Sequence, residues 1–256
     1  MLLVVQILSL ANGWRQPSDF SAAYLEVTAH GDSIACDFPE EPSVGDDLLP
    51  AKVPQVVTAK QRARYEVKEL LAQQGAKTVE FGLSESRLTL ADFVDRMQHE
   101  TSSNASFIVS SDIGASDLPL RGAPQTLAGG AHLLTIASDG AGLELHTHGA
   151  SYLALLHGHL LWVAAPPGAL LPSWLLDAHG HALANQLGRL RKLPYDDAKS
   201  YVITCTQQPG TAVYLPEGWS RATVSLGDTV ALVQQHPWQQ QQQRQKEAAG
   251  LLQGSS

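Results

Sequence analysis

The second half of the chain alternates apolar and polar positions where the first half does not. His132 to Ser138, Leu143 to His148 and Tyr152 to Ala165 are apolar or alternate with period two, which marks strands with at least one buried face. Asp139-Gly140 and Gly158 mark bends, and Pro166-Pro167 stops the third run. Tyr201 to Thr206, Ala212 to Leu215 and Thr223 to Gln234 read as further strands. Pro209-Gly210 forms a tight turn among them, and a second turn falls near Gly227-Asp228. Short strands joined by turns imply a closed or sandwiched β structure.

Upstream the period lengthens. Ala59 to Gln74 reads as a helix with Val67, Leu70 and Leu71 on one side, and Gly75 suits its C-cap. Thr78 to Phe81 is a short strand. Thr89 then opens an amphipathic helix, because Leu90, Phe93, Val94 and Met97 follow the i, i+3, i+4, i+7 spacing. Thr89 is its N-cap, and Asp92 complements the helix dipole in the first turn. Phe107 to Val109 is a strand, and a Gly- and Pro-rich loop runs from Gly114 to Gly130. Ser173 caps a covering helix over about Trp174 to Leu193, which Gly180 and Gly188 interrupt. These helices are expected to pack outside the strands.

The ends differ in composition. Met1 to Ala11 is apolar, with Ser9 and Ala11 in a small-residue cleavage pattern. It reads either as a secretory signal or as a buried first element, and it is too short to span a bilayer. Gly13 to Pro54 is acidic and turn-rich, with a short helix over Phe20 to Val27, then a long irregular connection and no visible chemistry. From Trp238 the chain is glutamine-rich and of low complexity. The organisation expected is an extension over 1–58 with a candidate signal at 1–11, a globular domain over 59–236, and a tail over 237–256.

Composition narrows the function class. The chain has 256 residues, 44% hydrophobic and 16% charged, enough for one domain with a substantial core. The net charge is −8, and no Lys/Arg cluster is dense enough to follow a phosphate backbone, so nucleic acid is disfavoured as a partner. Cys36 and Cys205 form neither a CxxC nor a disulfide framework, which leaves the redox compartment open. Cys205 reads as a buried strand residue.

The candidate chemistry centres on Leu145-His146-Thr147-His148-Gly149 and Pro216-Glu217-Gly218-Trp219-Ser220-Arg221. His146 and His148 alternate along a strand, so both imidazoles face one way, and inside a small barrel that pair suits an iron, zinc or copper ion. Arg221 has no lone pair and stays protonated, so it cannot act as a ligand and would set a positive charge against a metal. Its plain expectation is to reach a rim acid or solvent, and its sharper one is to bind an anion. His157 and His159 share the same spacing, but if Leu160 faces the lumen, parity turns both outward. His179 and His181 read as surface residues, Trp162 and Trp219 as core aromatics, and Asn104-Ala105-Ser106 as a glycosylation sequon that matters only on secretion.

These stretches resemble the JmjC family of the cupin superfamily. Five residues separate Gly140 from His146, and five separate Gly210 from Pro216, with Gly218 and Arg221 following as in the second cupin half-motif. HTHG followed by LALLHGHLLWVAAPP, and Cys205-Thr206 with Tyr214, Trp219 and Leu226, extend the likeness, which runs from about Ala59 to Gln234. The resemblance implies a mainly β fold with flanking helices (α+β), a double-stranded β-helix or cupin jelly roll. It also implies Fe(II) and 2-oxoglutarate as cofactors. His146 matches the first metal ligand, and His148 the second, where active members carry Asp or Glu. Arg221 stands at the distal histidine, and Leu160 at the lysine that anchors 2-oxoglutarate. With those two positions altered, the expectation is a pseudoenzyme that binds a protein partner. The alternatives are an active 2-oxoglutarate-dependent protein hydroxylase or demethylase, and a cupin that binds another metal or a small anion. The endoplasmic reticulum lumen or secretory pathway is the expected location, with the cytoplasm as alternative.

Overall fold

The computed structural model describes residues 36–41, 53–57, 67–81, 86–99, 107–110, 129–169 and 202–236, together with Leu120, Ala123, Pro124, Leu127, Leu171 and Leu175. The apolar stretch Met1–Ala11, the helices expected over Phe20–Val27 and about Trp174–Leu193 apart from Leu175, Asn104, His179, His181 and the glutamine-rich tail lie outside the described residues.

Among the described residues, eleven strands and two helices follow in chain order. They are β1 (Glu40–Glu41), β2 (Gln55–Val57), α1 (Val67–Gln74), β3 (Thr78–Phe81), β4 (Ser86–Thr89), α2 (Leu90–His99), β5 (Phe107–Ser110), β6 (Ala131–Ala137), β7 (His146–Thr147), β8 (Ser151–Ala165), β9 (Ile203–Gln207), β10 (Ala212–Leu215) and β11 (Ser220–Gln235). The main path runs β1-β2-β10-β8-β11-β6-β5-β3-β4, with β7 on β11 and β9 on β8. Every pairing is antiparallel except β1 with β2. The result is a jelly-roll β-sandwich with flanking helices.

The two longest strands organise the rest. β8 and β11 pair from Ser151↔Gln235 to Ala165↔Ser220, with register shifts between Leu226 and Ala231. There Gly158 takes φ 77°, and a Cβ on it would lie 2.1 Å from the Asp228 carbonyl oxygen. Only glycine fits that conformation and that approach. The bulge changes the parity of β8. Leu153 and Leu155 face the shared interior before it, and Leu160, Trp162 and Ala164 after it. The expected turn near Gly227-Asp228 is therefore an irregularity inside one long strand, not a break between two.

Among the described residues, the buried side chains form four clusters. Leu153, Leu155, Leu160, Trp162, Val213 and Trp219 belong to the interior set. Leu70, Phe93, Val94 and Met97 seat the helices against Leu134, Ile136, Val230 and Leu232 of β6 and β11. Leu161, Val163, Val224 and Leu226 pack with Leu175, and Tyr152, Ala154 and Tyr214 pack with Val57 and Leu127. The cap of α2 forms as the spacing implies: the Asp92 amide donates to Thr89 Oγ1 at 3.1 Å. Trp162 is a core aromatic, and its Nε1–H donates to Gln207 Oε1 at 2.8 Å.

One covalent feature overturns the sequence reading. Cys36 and Cys205 form a disulfide, with S–S 2.01 Å. The Asp37 amide donates to the Thr204 carbonyl at 2.7 Å, and the Thr204 amide donates to Asp37 Oδ2 at 2.9 Å. Phe38 follows, 3% exposed, in the interior cluster, and β1 continues onto β2. Residues 36–41 thus do structural work in a stretch that looked like irregular connection. Cys205 is also the buried strand residue expected.

Candidate functional site

The site sits where the chain from Ala141 to Gly149 runs beside β11. Only His146 and Thr147 form regular strand, but the ladder is longer than that. The Thr223 amide donates to the Leu143 carbonyl at 3.0 Å, and the Ser225 amide to the Ala141 carbonyl at 2.7 Å. In register, His146 pairs with Arg221 on one side of β11, and Ala164 pairs with Arg221 on the other. Cross-strand partners share a face, so His146, Arg221 and the interior residue Ala164 form one row. His146 and Arg221 are thus lateral neighbours on paired strands.

The two imidazoles meet. Their ring centroids are 5.2 Å apart and the planes 30° apart. His146 Nδ1 lies 2.7 Å from the Glu144 carbonyl, which can only accept, so Nδ1 carries the proton and Nε2 keeps a lone pair. Burial lowers the His146 pKa from its ordinary value. The Glu144 backbone bond opposes that shift, and the Arg221 charge adds to it. His146 is therefore neutral at pH 7.

His148 is committed differently. The Arg221 Nη2 hydrogen-bonds its Nδ1. A guanidinium only donates, so in this contact His148 Nδ1 accepts. The same Nδ1 lies 2.8 Å from the Gly149 carbonyl, so the guanidinium and that carbonyl both address one ring nitrogen.

Arg221 closes the set. It is 2% exposed, and its Nη1 donates to Ser151 Oγ at 2.7 Å. Burial lowers its pKa to about 9, which leaves it a cation at neutral pH. The expectation of a rim acid or solvent is wrong for this residue: its bonds go inward to β8 and to His148. Ser151 is the residue that the sequence reading missed. It is in phase with Leu153 and Leu155, so a polar side chain at an interior position was the available signal.

Leu160 lies in the same interior, 5% exposed, between Gln207 and Ser225 in register. It offers no donor. Gln207, also unforeseen, spends its amide on the Leu153 and Thr211 carbonyls at 3.1 and 3.0 Å. His157 and His159 pair with Val230 and Leu226, which belong to the outer clusters, so both point away from the interior. Burial lowers the pKa of each. His159 lowers His157 further, and a Gln208 bond partly offsets the shift at His159.

An Fe(II) ion does not suit this donor set. His146 can present a lone pair, but His148 directs its own to Arg221. Among the described residues no third His, Cys, Asp or Glu joins the pair. Facial iron sites need three protein ligands with lone pairs available.

No family model matches the chain. Over 108 residues it is 26% identical to JmjC domain-containing protein 8 of Rattus norvegicus, covering 39% of this chain and 35% of that protein. The chain thus matches about a third of the relative's length, a distant JmjC-like relationship and shorter than the stretch from Ala59 to Gln234.

Proposed function

We propose that this chain is a JmjC-like barrel in which the Arg221 guanidinium takes the place of the metal, and that it works by binding a protein partner, not by oxygenase chemistry. The observation that carries this reading is the hydrogen bond from Arg221 to His148 Nδ1. It uses the lone pair that a metal would need, and it places a positive charge beside both imidazoles. The guanidinium also joins three segments that a metal would otherwise join: β11 through its backbone, β8 through Ser151, and the histidine segment through His148.

The interior supports the same reading. A dianionic cosubstrate needs a cation deep in the barrel, and Leu160 stands among Leu153, Trp162 and Trp219 there. The disulfide favours an oxidising compartment, which supports the secretory pathway as the location and Asn104 as a glycan acceptor there. No helix among the described residues is long and apolar enough to cross a membrane.

The test is decarboxylation of 2-oxoglutarate by purified protein with Fe(II) and ascorbate. Wild type is expected to give no turnover above the metal-only control. Turnover at a rate typical of oxygenases would end the proposal.

A further inference from the structure

Residues 36–41 are tied to the barrel by bonds of two kinds. One is covalent: Cys36 lies opposite Cys205 of β9 in an antiparallel bridge, and the disulfide joins the pair. The others are not. The Asp37 amide donates to the Thr204 carbonyl at 2.7 Å, and the Thr204 amide returns a bond to Asp37 Oδ2 at 2.9 Å. Phe38 is buried in the interior cluster with Leu160, Trp162 and Val213. Beyond it, the Val56 amide donates to the Pro39 carbonyl at 2.9 Å, and β1 pairs with β2 over two residues.

The two cysteines differ in access. Cys205 is buried, whereas Cys36 is partly exposed and is followed by exposed Asp37. Thiol–disulfide exchange needs a thiolate to reach one of the sulfurs, so Cys36 is the one open to attack. The non-covalent ties are hydrogen bonds near solvent and a short strand at the end of the sheet, contacts of the class that opens without global unfolding. By tethering Cys36 to β9, the bridge keeps those contacts at a high effective concentration.

We propose that the Cys36–Cys205 disulfide is a redox latch, and that residues 36–41 are a strap which a dithiol reductant releases from the interior. A thiolate of the dithiol attacks Cys36 Sγ, the S–S bond breaks, and Cys205 leaves and takes a proton. The second thiol of the reductant then attacks the reductant's own sulfur in the mixed disulfide and frees Cys36 as a thiol. Two electrons and two protons pass to the bridge, and the reductant ends as a disulfide. With the latch open, Phe38 withdraws from Leu160, Trp162 and Val213, and an apolar part of the interior becomes accessible. Neither Arg221 nor the histidines take part, so the latch stands apart from the reading of Arg221 as the metal's replacement.

The experiment is amide hydrogen exchange on the full chain before and after dithiothreitol, with alkylation and mass measurement to count the thiols formed. Reduction should strip protection from the Asp37, Val56 and Thr204 amides. The Thr223 and Ser225 amides, bonded to the Leu143 and Ala141 carbonyls, should stay protected. A dye that fluoresces on apolar surface should bind more to the reduced protein. Cys36→Ser should show the same pattern without reductant, and if that variant does not fold, reduction of wild type still decides. Thiols that form only together with loss of protection at Thr223 and Ser225 would mean that the bridge breaks by global unfolding, which overturns the latch. Protection kept at Asp37 after complete reduction overturns the strap, and unchanged dye binding overturns the opening of the interior.

Discussion

Two histidine pairs in this chain have the same one-residue spacing and opposite settings. His146 and His148 lie beside a buried guanidinium, in one row with an interior residue. His157 and His159 flank a bulge glycine and turn toward the outer clusters. Spacing alone makes both pairs candidate metal ligands. What separates them is the residue across the ladder: Arg221 for the first pair, Val230 and Leu226 for the second. A histidine pair takes its character from its cross-strand partner, and here that partner is a buried guanidinium.

The largest effect should come from the disulfide, which anchors the strand row next to the inner pair. Cys205 pairs in register with Trp162, one inward position from Ala164 and Arg221. Replacing both cysteines by serine removes a link across 169 residues of sequence, and about 4–5 kcal/mol of stability should go with it in the chain-entropy view. Urea unfolding measures this, and a loss below about 1 kcal/mol would show that the bridge adds little to the fold.

Next comes the bulge that keeps the outer pair outside. Gly158→Ala forces φ 77° on a residue with a Cβ and presses it against the Asp228 carbonyl. A loss of about 3 kcal/mol or more is expected by thermal or chemical denaturation. An alanine variant as stable as wild type would mean that the parity change in β8 is not built on this glycine.

Smaller effects come from pH. Burial lowers the pKa of His146, His157 and His159 below the ordinary 6.5. The unfolded chain then binds more protons than the folded one, so stability rises with pH across this window. It should be level above about pH 7 and fall as pH drops through about 6.5. Arg221→Met sharpens the comparison: the His146 pKa should rise, because one of its depressing charges is gone, while His157 and His159 stay put. NMR titration of the ring protons reads all three, and equal shifts at both pairs would contradict the separate settings.

Much of the fold is legible in the chain because period-two and helical patterns are local. β10 and the cap on Thr89 follow directly from turn residues and spacing, and so does the outward face of His159. The site was less legible, since it depends on what faces what. Arg221 reads as a lesion in sequence, but only the ladder shows that its bonds go to Ser151 and His148 rather than to solvent. The Cys36–Cys205 bridge was invisible for the same reason: no local rule links residues 169 positions apart.

The central claim is that Arg221 stands where a metal would, and equilibrium dialysis against Co(II) tests it most directly. Wild type should bind no cobalt tightly at His146 and His148, while Arg221→His, with three imidazoles available, should bind about one equivalent with a tetrahedral or octahedral d–d spectrum. Tight, stoichiometric cobalt binding by wild type, lost on His146→Ala, would contradict it.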